Sequence, residues 1–175
     1  VYLDTPSEIN TSAEPGRSSQ NLNSTSLQTS SSWSDGGFGD VLSPTTLAGL
    51  SSINNALYNC LRLVHADTKS LSEITDVQCA NRSLTSLDGI EHLSAVRGIN
   101  VSNSPGTSTP NTFNDISPVY HLSNLVSLYL SGTNVSMSSV SAAVATLDAL
   151  EGLYIARMGF GTIPDLSNSN RVGLI

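Results

Sequence analysis

One interval governs the second half of this sequence: apolar residues return every 22 positions. Ile74, Val77 and Cys79 are followed by Val96, Ile99 and Val101, each 22 residues on. The triplet comes back as Leu125, Leu128 and Leu130, and again as Leu150, Leu153 and Ile155. Val172 and Ile175 fall 22 after Leu150 and Leu153 and open a fifth copy. Each copy reads L-x-x-L-x-L, apolar at repeat positions 1, 4 and 6. Side chains alternate across a strand, so positions 4 and 6 share one face. A single copy of this length cannot bury its own apolar face. Copies must stack, and a solenoid is predicted.

The stretches between triplets carry the return path. Copy one continues with Leu84, Leu87, Ile90 and Leu93, and copy two with Ile116, Val119 and Leu122. Copy four continues with Phe160, Ile163 and Leu166. Steps of three suit a short 3₁₀-like or irregular segment. Copy two is longer, 29 residues from 96 to 125, and its excess falls in the Ser104–Asp115 loop with Pro105, Gly106 and Pro110. Copy three spans 25 residues, from 125 to 150, and Met137–Leu147 reads as a true helix.

Over about 105 of the 175 residues this pattern resembles the leucine-rich repeat family, in its short 22-residue class. The resemblance implies an α/β solenoid with parallel β-strands on the concave face. It also implies a fold that recognises partners rather than one that catalyses. The family favours Asn at position 9, where its amide satisfies loop backbone groups. This chain has Arg82, Ser104, Thr133 and Met158 there, so the loops after strands one and four are expected to differ in shape. Upstream, Leu47, Leu50, Ile53, Leu57, Leu61 and Val64 recur at helical spacing. Ser43-Pro44 supplies a helix start, Ser as N-cap and Pro at the first turn. One or two helices over 44–65 followed by repeats resemble the layout of internalin-like proteins, with an N-terminal helical cap.

Three regions are therefore expected: a Ser/Thr-rich extended arm over 1–40, a helical cap over 41–70 and repeats over 71–175. The arm has no sustained periodicity, and such composition marks linkers and stalks. Trp33 and Phe38 are its natural anchors for assembly, because large aromatics bring the most burial per residue. The sequence stops at Ile175, position 4 of a repeat, so the array is expected to continue beyond it or to be covered by another subunit.

Charge narrows the partners. The net charge is −7, only 12% of residues are charged, and Lys69 is the only lysine. Nucleic acid demands clustered basic residues, which are absent here. No apolar run reaches the ~18 residues of a membrane-spanning helix. Cys60 and Cys79 lie 19 apart. They are either two buried thiols or a disulfide joining the capping helix to the first repeat; a Ser/Thr-rich, lysine-poor composition points to secretion and favours the bond. His65, His92 and His121 are the only histidines, and no third ligand type recurs in register, so no metal site is expected. There is no phosphate loop, no nucleophile elbow and no converging acid–base set. No enzyme and no cofactor are expected.

Sequons stand at Asn10, Asn23, Asn81, Asn100 and Asn134. Random placement of this chain's Asn, Ser and Thr gives nearly as many, so position matters more than number. Asn81 and Asn134 fall on the turn leaving a strand, and Asn100 falls mid-strand on the concave face. That face is the expected binding surface. Position 5 holds Gln78, Asn100, Tyr129 and Tyr154, position 3 holds Asp76, Gly98, Ser127 and Gly152, and position 7 includes Ser102 and Ser131. Tyr129 and Tyr154 form a two-rung aromatic ladder among small residues, and exposed Tyr is enriched at interface hot spots. Two roles follow. The first is a secreted or surface-displayed glycoprotein module that recognises a protein or glycan through Gln78, Asn100, Ser127, Tyr129, Ser131 and Tyr154. The second is a structural subunit of an extracellular filament, sheath or appendage, joined to copies of itself through the arm and the open solenoid end.

Overall fold

In the computed structural model, residues 44–161 and the backbone of 173–174 are described; the remainder lie outside the description that follows. Five strands form one parallel sheet: β1 (Asp76–Gln78), β2 (Gly98–Asn100), β3 (Ser127–Tyr129), β4 (Gly152–Tyr154) and β5 (Gly173–Leu174), hydrogen-bonded in chain order. Parallel strands need a crossover between them, and the rest of each copy supplies it. The register keeps equal repeat positions opposite one another: Val77 faces Ile99, Ile99 faces Leu128, and Leu128 faces Leu153. At β5 the register departs from the 22-residue interval. Leu153 pairs with Leu174, so the fourth copy is one residue shorter than the spacing that marked Val172 and Ile175.

The triplets expected to face inward do so. From Ile74 to Ile155 every residue at positions 1, 4 and 6 is at most 9% exposed. Leu84, Leu87, Ile90, Leu93, Ile116, Val119 and Leu122 complete the same cluster from the far side. Fully burying one such side chain contributes about 1.5–3 kcal/mol, so the stacked array is the main stabilising term. The return path runs through 3₁₀ turns at Leu71–Glu73, Ile90–His92 and Ser117–His121. Copy three instead carries α3 (Met137–Thr146), whose N-cap Ser136 accepts from Ser139 N–H and whose inner face is Val140, Ala143 and Val144. The Tyr120 hydroxyl donates to the Ser139 carbonyl at 2.9 Å, tying the second return path to that helix.

Two short helices precede β1, and they begin later than expected. The first, here α1, is Leu47–Leu50; the second, α2, is Asn55–Leu61. Pro44 is not in the first turn, and Ser43 lies outside the described residues. The chain before α1 is instead held extended, with a bridge between Thr46 and Ser70 and Leu71 N–H donating to the Thr45 carbonyl. Val64 does not join the buried stripe; α2 ends at Leu61, leaving Val64 73% and Ile53 38% exposed. Asn54 does two jobs that the apolar spacing hid. Its Oδ1 caps α2 by accepting from Leu57 N–H, and its Nδ2 donates to the Ser86 and Asp88 carbonyls of the first repeat. Gly89, at φ +92, lies under Leu50, whose Cδ1 would clash with any Cβ added there. Cys60 of α2 and Cys79 beside β1 are joined as a disulfide, Cα atoms 5.8 Å apart.

The loop duty of the absent position-9 Asn falls to Asn111, inside the insertion of copy two. Its side chain is 1% exposed and makes all four hydrogen bonds an amide can make. Oδ1 accepts from Arg82 and Leu84 N–H at 3.1 and 2.9 Å. Nδ2 donates to the Cys79 and Val101 carbonyls at 2.9 and 2.8 Å. Asn103 supports it, accepting from Asn111 N–H and donating to the Asn111 and Gly132 carbonyls. Thr133, at position 9 of copy three, serves only its own turn by donating to the Leu130 carbonyl. The loops after strands one and four do differ: position 10 there, Ser83 and Gly159, adopts left-handed φ of 54° and 70°, whereas position 8 is left-handed after strand three as well, at Gly132.

Two outcomes are expected. Alkylation of the unreduced protein should label neither cysteine, and replacing both by Ser should cost roughly 3 kcal/mol, the chain-entropy value for a loop of this size; two labelled thiols in the unreduced chain would refute the bond. Asn111→Ala should lower stability by about 3 kcal/mol or more, because four buried backbone groups lose their partners together. A urea midpoint unchanged from the parent would show that water replaces the amide.

Candidate functional site

The strands turn positions 4 and 6 into the core, so positions 3, 5 and 7 stand on the open face of the sheet. The ladder at position 5 is formed: the Tyr129 and Tyr154 rings stack with centroids 3.8 Å apart and planes 6° from parallel. The ring of Tyr154 leans back over Gly152, where an added Cβ would lie 3.3 Å from Cε2. The Tyr129 ring lies nearly parallel to it. Glycine at position 3 is what lets the outer ring lie down. Ring stacking of this kind adds about 0.5–1.5 kcal/mol beyond area burial.

The same device recurs at Gly98. It is buried on the open face because neighbouring side chains roof it. The Asp76 carboxylate reaches across from β1, its Oδ1 only 2.7 Å from where a Gly98 Cβ would stand, and Ser127 Oγ flanks the other side at 3.3 Å. Asp76 itself remains exposed. Its Oδ2 accepts from Thr75 Oγ1 at 3.2 Å, and no ion pair reaches it among the described residues. Asn100 folds along its own strand, Oδ1 accepting from Ser102 N–H and Oγ–H at 3.2 and 2.7 Å. Ser131 Oγ accepts from Ala156 N–H across to the next rung. Gln78 is exposed at the first rung.

Six residues singled out from the sequence, Gln78, Asn100, Ser127, Tyr129, Ser131 and Tyr154, thus share one face. Ser131 serves the strand ends more than it offers itself to a ligand. Asp76, at position 3 on the same face, reaches over Gly98 because that rung carries no side chain, a contact that depends on the glycine in the neighbouring copy. Of the sequons, Asn134 is exposed. The Asn81 side chain is engaged with Ser104, accepting from its N–H and donating to its hydroxyl. Asn10, Asn23, Trp33 and Phe38 lie outside the described residues.

A separate open depression of about 390 Å³ runs along the strand starts, lined by Ala95, Arg97, Asn124, Val126, Ala149 and Glu151. Among the described residues no three His, Cys, Asp or Glu side chains gather as metal ligands, and no helix is long and apolar enough to cross a membrane.

The Tyr129 phenol is held above its ordinary value, first by the Tyr154 hydroxyl beside it, then by partial desolvation and the charge of its neighbour. A raised folded-state value favours the neutral phenol. Its contribution to stability is present below the unfolded value of about 10 and is lost as pH rises through the folded one. Tyr154→Phe keeps the stack and removes the hydroxyl. Tyrosinate absorbance should then show the Tyr129 ionisation moving to lower pH; an unmoved titration would mean that the two hydroxyls do not interact.

No protein-family model and no curated protein matches the chain. A solved structure does: internalin C2 of Listeria monocytogenes superposes with a TM-score of 0.59 at 20% identity, covering 78% of this chain. The match spans 59% of the internalin's own length. At that identity the likeness is one of fold, and with the parallel sheet it shows that the chain carries a leucine-rich-repeat-like solenoid.

Proposed function

We propose that this chain is an extracellular recognition or adhesion module of the short, 22-residue repeat class, with an internalin-like layout. In this reading α1 and α2 close the first repeat as a helical cap, the arm over 1–40 precedes them, and the open face of the sheet engages a protein or glycan. One observation carries it: a stacked tyrosine pair stands on the open face, with Gly152 beneath the Tyr154 ring. The core is built by the other face, so these rings are not needed to fill it. A disulfide that joins α2 to the first repeat suits an oxidising compartment, which supports the secreted or surface setting. The alternative, a filament or sheath subunit, turns on Trp33, Phe38 and the solenoid end, which lie outside the described residues.

The test is binding of the immobilised chain to an array of surface glycans and matrix proteins. Tyr129→Ser with Tyr154→Ser should abolish at least tenfold of any specific signal, in line with hot-spot losses of about 2 kcal/mol. A convex-face change such as Glu91→Gln should leave it intact. Equal loss in both variants would defeat the assignment to this face. The glycoprotein part of the reading has its own measure. Asn134, the exposed sequon, should be converted to Asp by amidase release of glycans from a chain secreted by a eukaryotic host, and an unmodified Asn134 would remove that part.

A further inference from the structure

The insertion of copy two presents one hydroxyl to solvent and keeps the others for itself. We infer that this hydroxyl, on Ser108, is an O-glycosylation site that takes an N-acetylhexosamine. The inference rests on the extracellular setting proposed above, not on what the open face binds. The loop leaves the core at Asn103 and returns at Asn111, both buried, and between them only Thr107 is half-buried. Residues 104–107 form a tight turn, with Pro105 in second place, Gly106 at φ +70 in third, and Thr107 N–H donating to the Ser104 carbonyl. A Cβ added at Gly106 would meet nothing within 4 Å, so the outside of the turn is open space. Thr109 precedes Pro110, which biases its backbone toward an extended conformation. The loop carries four hydroxyls, and three are engaged. Ser104 Oγ accepts from Asn81 Nδ2 at 3.1 Å, and Thr107 Oγ1 accepts from Thr109 N–H at 3.3 Å. Thr109 Oγ1 donates to the Asn81 carbonyl at 2.9 Å. Ser108 is exposed, and its hydroxyl has no partner among the described residues. A sugar placed there breaks no bond of the Asn111 clamp.

The chemistry of the loop selects the group. From Gly98 to Asn114 the sequence has no charged residue. A phosphate on this loop would find no arginine or lysine within it to pair with. Proline-directed phosphorylation would fall on Ser104 and Thr109, the hydroxyls that precede proline, and both are engaged. Serine and threonine interleaved with proline are the composition of O-glycosylated segments. A neutral sugar needs only a free hydroxyl and room. The Ser108 oxygen attacks the anomeric carbon of a nucleotide-activated N-acetylhexosamine. A carbon–oxygen bond forms there, the bond from that carbon to phosphate breaks, the nucleoside diphosphate leaves, and the hydroxyl proton passes to the transferase.

The test incubates the folded full chain, made without glycans, with UDP-N-acetylgalactosamine and a polypeptide N-acetylgalactosaminyltransferase. A free peptide of residues 103–111 is treated in parallel. Peptide mapping should place the sugar on Ser108 of the folded chain and spare Thr107 and Thr109. The peptide, which lacks the fold's hydrogen bonds, should be modified at the threonines as well. Ser108→Ala should remove the label from the folded chain. A bare Ser108 in the folded chain would overturn the site. Labelling of Thr109 as readily as Ser108 would also overturn it, because the fold would then select nothing. The chain recovered from the medium of a eukaryotic host should carry the same group at Ser108, and an unmodified Ser108 there would count equally against it. The binding array reports separately: its failure removes open-face recognition and leaves a labelled Ser108 standing, whereas an unlabelled Ser108 leaves the array result untouched.

Discussion

Register is the constraint on which everything else in this domain rests. Val77, Ile99, Leu128 and Leu153 stand opposite one another on adjacent strands. A slip of one residue would turn every core side chain to solvent and every open-face side chain inward. The strands are only three residues long, so backbone bonding alone cannot hold that register. The buried leucines, isoleucines and valines behind the sheet do so. The open face inherits its order from this: Tyr129 meets Tyr154, and Asp76 meets Gly98, only because the core has fixed which rungs coincide.

The core and the strands were legible because both are dictated by period, and period survives great divergence in identity. The 20% identity to internalin C2 is enough to keep the fold for the same reason. What stayed hidden was set by polar geometry rather than by spacing. Asn111 sits outside the repeat grid, in an insertion, and nothing in its sequence neighbourhood marks it as buried. Its role appears only when Arg82, Leu84, Cys79 and Val101 are brought around it. The late start of α1 has a similar origin. Ser43-Pro44 is a sound local helix signal, but a tertiary pairing with Ser70 and Leu71 claims the following residues for extended backbone. Val64 kept the helical spacing after the helix itself had ended.

The candidate site shows the same division. The tyrosines were visible as residues of unusual size at a repeated outward position. Their orientation was not, since it depends on the side chain two residues earlier in the same strand. Glycine at position 3 removes the support that would prop the ring upright, and the ring settles over the gap. Position 3 and position 5 therefore form one unit. Along position 3, Asp76, Gly98, Ser127 and Gly152 alternate a residue that carries a side chain with a glycine.

Repeat arrays are usually sums of neighbouring pairs, able to fray one copy at a time. The insertion in copy two alters that arithmetic here. Asn111 reaches back to Cys79 in copy one, and Asn103 reaches forward to Gly132 in copy three. The Cys60–Cys79 bond extends the linkage to α2. Everything from that helix to the turn after β3 is thus stitched through one polar hub, and Arg157 after β4 also reaches it by donating to the Asn103 carbonyl. The repeats that the hub joins should unzip together, and amide exchange would show their protection lost in one step rather than along a gradual slope. The longest loop, where extra chain would ordinarily loosen a solenoid, is the place where this one is clamped.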